Sequence, residues 1–348
     1  MALAAAASGC ANLSYYAQSV GGHLDLLSRQ QSISRLLAED AAGDELLRGR
    51  LATVARIRDF ASAPLALPDN QSYRRYAALD RPYAVWSVVA APEFSLNPEG
   101  WCFLFAGCVN YRGYYDEAAA RAFAATLERR GLEAHVGGVP AYSTLGWLAD
   151  PLPSTVIHWP PHRLAGLIFH ELAHQVVYVS DDSAFNEAFA TTVERAGVRR
   201  WLQAHGSEAA MAAYREESGV EAVFLGHVAA LRKELVDIYD GGRSVPARRR
   251  AKAEALAAFT RQWEGFRASG PGAAAYESWF GSPPNNARLA TVALYHDLVP
   301  GFEALLGAVG GDLPAFYRRV KALAALDRPA RRVHLTELTT KYAKYTKK

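Results

Sequence analysis

His170-Glu171-Leu172-Ala173-His174-Gln175, followed by Asn186-Glu187-Ala188-Phe189-Ala190, is the stretch around which the chain is organised. Histidines four residues apart lie one above the other on a helix, so both imidazoles can reach a single metal ion. Glu171 sits beside them, where a carboxylate can take a proton from an attacking water. Catalytic zinc keeps three protein ligands and one open position, and Glu187 is the nearest downstream carboxylate in a helical setting. The set predicts one Zn2+ held by His170, His174 and Glu187, with Glu171 as general base.

The flanking sequence supports a helical hairpin. Pro160-Pro161 suits a first helical turn, where missing N–H groups cost nothing, and Leu164, Leu167, Ile168, Leu172, Val176 and Val179 form the buried stripe. Ser180 to Ser183 is a polar break, after which Ala184 to Leu202 is helical again. At ~1.5 Å per residue, His174 and Glu187 both stand ~6–8 Å from the connection, so they face each other at matching depth. A third histidine six residues past His174 is ruled out because Ser180 is there. Asp181 or Asp182 is the alternative ligand, although both look like helix caps. Thr191, four past Glu187, is placed to hold a ligand histidine from behind. His158 and His162 read as surface or cap residues, since no spacing ties them to the metal.

Moving outward, residues 13–63 carry helical periodicity, with Asp44 starting and Pro64 stopping the last segment. Tyr83 to Ala91 and Trp101 to Val109 are rich in aromatic and β-branched residues and read as strands. Asp116 to Arg130 is a capped helix ended by Gly131, and Leu132 to Val136 and Ala141 to Trp147 read as further strands. Val220 to Asp240, Ala247 to Ala268, Asn286 to Leu306 and Leu313 to Ala325 are helical. The expected fold is α+β and predominantly helical, with a small mixed sheet packed beside the helix of His170. Its regions are a lipoprotein signal remnant (1–10), an N-terminal helical region (11–81), the sheet region (82–150), the metal hairpin (151–206), a C-terminal helical region (207–327) and a basic low-complexity tail (328–348). The tail is left out of the expected fold.

Half of the 348 residues are apolar, enough for a large core. The net charge of +3 is misleading: residues 328–348 hold seven basic residues and one acid, and removing them from 38 and 35 leaves 31 against 34. A body of net charge −3 argues against a nucleic-acid surface. Outside the N-terminus no run of about 18 apolar residues could span a membrane. Ala7-Ser8-Gly9-Cys10 resembles a lipoprotein processing site with Cys10 as the lipidated residue, although no Lys or Arg precedes it; a plain alanine-rich N-terminus is the alternative. Cys102 and Cys108 flank an apolar run and read as buried thiols, with pairing open in an oxidising compartment.

The two motifs together, extended through Thr191-Thr192-Val193-Glu194, resemble the zinc aminopeptidases of the aminopeptidase N type, and thermolysin-like proteases share a related pattern. That resemblance implies a zincin-like metallopeptidase, makes His170, His174 and Glu187 the ligands and Glu171 the base, and gives Glu194 a supporting carboxylate's place. The spacer from His174 to Glu187 is shorter here, and no Gly-Ala-Met-Glu-Asn-like segment precedes it. Over most of its length the chain is more similar to a bacterial family of predicted aminopeptidases with lipoprotein character. That likeness is carried by Gly21-Gly22-His23-Leu24-Asp25, Gly107-Cys108-Val109-Asn110-Tyr111-Arg112-Gly113-Tyr114, Ala141 to Trp147, and Asn285-Asn286-Ala287-Arg288-Leu289. It implies a peptide substrate and an envelope location facing the periplasm, with contact to a membrane only through lipid at Cys10.

Zinc peptidases usually hold substrate along a strand edge; Ala141 to Trp147, with Tyr142, Ser143 and Thr144, is the candidate, against ordinary core sheet. Tyr295 and Tyr276 are the tyrosines considered as oxyanion donors. The competing class is a non-catalytic envelope lipoprotein with a structural zinc site or a peptide-binding role. Oligomeric state, residue preference and exo- versus endopeptidase action have no signal in the sequence.

Overall fold

The computed structural model describes residues 2–38, 44–103, 107–269 and 276–345. In chain order it forms α1 (Ala2–Ser28), β1 (Gln30–Ser32), α2 (Ile33–Ala38), α3 (Glu45–Ser62) and β2 (Arg75–Ala77). The sheet region supplies β3 (Val85–Pro92), β4 (Trp101–Phe103), β5 (Gly107–Val109), β6 (Arg112–Tyr114), α4 (Glu117–Glu128), β7 (Leu132–Val139) and β8 (Leu152–Pro153). Then come α5 (Pro161–His174), α6 (Ser183–His205), α7 (Glu208–Asp240), α8 (Val245–Ser269), α9 (Glu277–Phe280), α10 (Asn286–His296), α11 (Val299–Ala308), α12 (Leu313–Ala324) and α13 (Arg328–Tyr345). The α+β class and the helical majority are as expected. No helix among the described residues is long and apolar enough to cross a membrane.

The main core is a helical layer built on α5 and α6. Leu164, Ile168, Phe169 and Leu172 of α5 meet Phe185, Phe189 and Val193 of α6, with Leu51, Val54 and Ile57 of α3 closing one side and Phe302 and Phe316 the other. α5 and α6 approach closely at Gly197, where a Cβ would lie 2.6 Å from the ring of Phe169. The small sheet β1-β2-β8, antiparallel then parallel, adds Tyr76 and Leu152 to this core. An antiparallel sheet in the order β6-β3-β7 packs Trp86 and Val88 on Ala120, Ala124 and Leu127 of α4. α7 and α8 form an aromatic-filled arm around Phe224, Phe259 and Trp263.

Several expectations change. Residues 141–147 form a turn rather than a strand, because Asp150 captures the hydroxyl of Ser143 at 3.1 Å and the N–H of Thr144 at 2.9 Å. Leu145 and Gly146 then take positive φ values of 58° and 83°, which no regular strand permits. The span Trp101 to Val109 is a hairpin, β4 against β5, whose facing Cys102 and Cys108 are exposed and disulfide-bonded rather than buried thiols. The helix expected from Asn286 to Leu306 breaks at Asp297-Leu298, before Pro300, whose missing N–H is harmless only in a first turn. The basic C-terminal segment, left out of the expected fold, is α13. Leu335 is buried in the main core, and Arg331 reaches the buried carboxylate of Asp182 with Nε at 3.0 Å and Nη2 at 2.8 Å.

Candidate metal centre

α5 ends at His174, five residues earlier than its apolar stripe suggests. The chain turns through residues 175–182 and restarts as α6, capped by Asp182, whose carboxylate accepts from the N–H of Phe185. Asn186 closes this connection: its side chain accepts from the N–H of Val179 and donates to its carbonyl, both at 2.8 Å. Asp182 is thus a helix cap paired with Arg331, and Asp181 accepts from the N–H of Cys108 at 2.7 Å; neither belongs to the metal cluster.

The fold brings together the three expected ligands. Glu187 Oε2 stands 3.1 Å from Nε2 of His170 and 3.6 Å from Nε2 of His174. Among the described residues these three are the one group of His, Cys, Asp or Glu clustered tightly enough to hold a metal ion, with donor atoms within 4.8 Å of one another. Donors at zinc's ~2.0–2.1 Å bond length stand ~3.3–3.4 Å apart in a tetrahedral site, so the two separations bracket what that ion requires. Without a metal, burial pulls the pKa of His170 down, but hydrogen bonds to Glu187 and Glu194 outweigh it and hold the imidazole well above its usual range. Burial pushes the carboxyl of Glu187 up, and the two histidines overcome this and bring it well below the usual value.

Glu194 accepts from Nδ1 of His170 at 3.0 Å, which sets Nε2 toward Glu187: on the protonated ring Nε2 donates to that carboxylate, and on the neutral ring it offers its lone pair to a metal ion. It is two helical turns past Glu187 and so on the same face. Gly166, one turn before His170, makes room: a Cβ there would lie 3.1 Å from Glu194 Oε1. Thr191, expected to hold a ligand histidine, is buried; Nδ1 of His170 is held by Glu194 instead, and Nδ1 of His174 is buried without a hydrogen-bond partner. His162 is buried too and bonded to Glu217 at 3.0 Å, whereas His158 is exposed as expected.

Glu171 lies against a strained segment that the sequence did not reveal. Burial raises its pKa; the charges of His170 and His174 act against that, and Glu187 and Asp150 add to it. The fully buried Tyr73 is within electrostatic reach of Glu171 and Asp150, and it sits at φ 61°, a conformation costly for a bulky residue. Arg58 ties down the segment that precedes Tyr73. Its buried guanidinium donates to the carbonyls of Pro68, Asn70 and Ser72 at 2.8–3.0 Å, and burial lowers its pKa to about 10. The same segment grips Gln175, whose Oε1 accepts from Asn70 at 2.6 Å.

Two tyrosines lie within electrostatic reach of the ligands from other elements. Tyr111, between β5 and β6, is 44% exposed overall; burial and then the charge of Glu187, with Glu171 adding less, raise its pKa. Tyr178 is raised by burial and then by Glu187. Tyr276, by contrast, stacks on Phe224 in the α7–α8 arm. Tyr295 belongs to α10, but its side chain, like that of Cys10 on α1, lies outside the described residues. Tyr142, expected to touch substrate, spends its hydroxyl on Nδ1 of His23 at 2.7 Å and on the hydroxyl of Tyr115.

A model of the family described as "Putative aminopeptidase" matches residues 14–335. The chain belongs to that family. No curated protein and no solved structure matches it. The aminopeptidase family model spans every residue of the metal cluster and reaches Leu335, the buried side chain of α13.

Proposed function

We propose that this protein is a zinc-dependent peptidase acting as an aminopeptidase, with His170, His174 and Glu187 as ligands in a zincin-like arrangement. The observation that carries the reading is the convergence of these donors within electrostatic reach of a half-buried carboxylate, Glu171. Zinc bound there would supply Lewis acidity, polarising a peptide carbonyl and making water a better nucleophile. Glu171 takes the proton of the attacking water and passes it to the departing amine; its raised pKa suits both steps. Glu194 orients His170 from behind. Tyr111 and Tyr178 supply the hydrogen-bond donors for the developing oxyanion, the role considered for Tyr295 and Tyr276 from sequence.

The Cys102–Cys108 disulfide supports an oxidising compartment, and with Cys10 it favours the bacterial envelope facing the periplasm. The test is metal analysis of purified protein together with turnover of aminoacyl reporters and internally quenched peptides, with and without a chelator. Glu171→Gln leaves the metal bound and lowers turnover about 10²–10⁴-fold, the usual worth of general acid–base catalysis. Full turnover by Glu171→Gln refutes the assigned base. Stoichiometric zinc with no hydrolysis of any peptide favours the non-catalytic lipoprotein instead.

A further inference from the structure

Residues 142–150 form a turn pinned at every point except its tip. Tyr142 is tied to His23 and Tyr115, and Ser143 and Thr144 to Asp150. Thr144 Oγ1 accepts from the N–H of Leu148 at 3.0 Å, and the N–H of Trp147 bonds to the carbonyl of Thr144 at 3.1 Å. Leu145 accepts a left-handed conformation that its side chain disfavours. What these constraints present to solvent is apolar: Trp147 is 78% exposed and Leu148 45%.

A lone exposed hydrophobic residue needs no explanation. This pair differs in its place. Gly146 rests on the side chain of Gln175, where a Cβ would stand 3.2 Å from Gln175 Cδ. Gln175 is four residues past Glu171, on the same face of the chain as it leaves α5, and Asp150 at the foot of the turn is within electrostatic reach of Glu171. The turn that carries the indole therefore lies beside the end of α5, one helical turn past the general base. Residues 131–162 contain no Lys or Arg, so the turn has none of the basic flank with which an exposed tryptophan would settle on an anionic membrane surface.

We propose that Trp147 and Leu148 form a specificity platform for a large apolar side chain of the peptide next to the scissile bond. This rests on the peptidase reading of the same site. Trp147→Ala and Leu148→Ala remove exposed atoms and leave the core intact, so both variants fold.

The experiment compares the zinc-loaded protein and these variants in three ways. The first is kcat/KM on matched alanyl, leucyl and phenylalanyl reporters; the second is calorimetric binding of the corresponding non-hydrolysable peptides; the third is co-sedimentation with anionic phospholipid vesicles. The protein as it stands prefers leucyl and phenylalanyl substrates. Trp147→Ala lowers kcat/KM and affinity for them about 10- to 100-fold, the worth of one well-packed apolar side chain, and changes the alanyl values less than about twofold. An unchanged preference in both variants overturns the platform while leaving the peptidase reading in place. Loss of vesicle binding in Trp147→Ala with peptide preference intact overturns it in favour of a membrane contact. If no reporter is turned over but peptide binding is apolar-selective and lost in Trp147→Ala, the catalytic reading fails and takes the platform with it as a determinant of cleavage, leaving a peptide-binding surface in its place.

Discussion

Replacing Glu194 tests whether the metal centre depends on a group that is not a ligand. Its carboxylate holds Nδ1 of His170 at 3.0 Å, with the histidine side chain 12% exposed and the glutamate 37% exposed. The bond is charge-assisted but partly screened by water. Glu194→Ala removes the acceptor and frees the ring to turn; losing such an outer partner typically costs 10- to 100-fold in metal affinity, about 1.4–2.7 kcal/mol. Glu194→Gln keeps a neutral oxygen at the same place and loses only the charge, so it belongs near the tenfold end. Gly166→Ala acts on the same bond from the other side: the new Cβ, 3.1 Å from Oε1, displaces the carboxylate by a few tenths of an ångström without removing it. The expected order of zinc affinity is unaltered protein, then Gly166→Ala, then Glu194→Gln, then Glu194→Ala. Competition with a chromogenic chelator measures it, and circular dichroism of the metal-free variants confirms folding. A zinc affinity for Glu194→Ala within twofold of the unaltered protein would refute the argument.

Two further outcomes concern stability. Arg331→Met leaves the carboxylate of Asp182, 1% exposed, without the guanidinium whose Nε and Nη2 both donate to its Oδ2, while Arg328 Nε stays 3.7 Å from its Oδ1; removing one member of a buried pair costs up to about 3–5 kcal/mol, readable as a lower urea midpoint, and deletion of residues 328–345 costs at least as much. An unchanged midpoint would mean that α13 does not hold the start of α6. The pKa of His135 is held down to about 4 by burial and then by Arg288, so the imidazole stays neutral in the folded protein while the unfolded chain takes up a proton below the ordinary value of 6.5. The stability this contributes is complete above pH 6.5 and is lost as pH falls toward 4, up to about 3 kcal/mol; the melting temperature of His135→Gln should fall less over that window.

The metal cluster was legible because its signal is local. Two histidines and a glutamate on one helix have a relative geometry set by 3.6 residues per turn, and Glu187 and Glu194 are likewise two turns apart on one face. The argument that brought the two helices level was less accurate: α5 ends at His174, and it is the Asn186 clamp on Val179 that returns the chain. The α+β class, the bounds of α4 and α12 to within two residues and the start of β7 followed from periodicity and caps.

Only the tertiary structure decided the rest. Residues 141–147 have a strand's composition, but one carboxylate, Asp150, seven residues past Ser143 and six past Thr144, offers their polar groups better partners than a ladder would. Tyr73, Tyr111 and Tyr178 come to the site from three separate connections, and no spacing in the chain encodes distances set by the packing of distant elements. The basic C-terminal segment belongs to the fold because Asp182, 149 residues away, is buried and needs a cation. At His170 the division is plain: the helix alone determined which side chains could share a metal, and folding decided what stands behind, beside and above them.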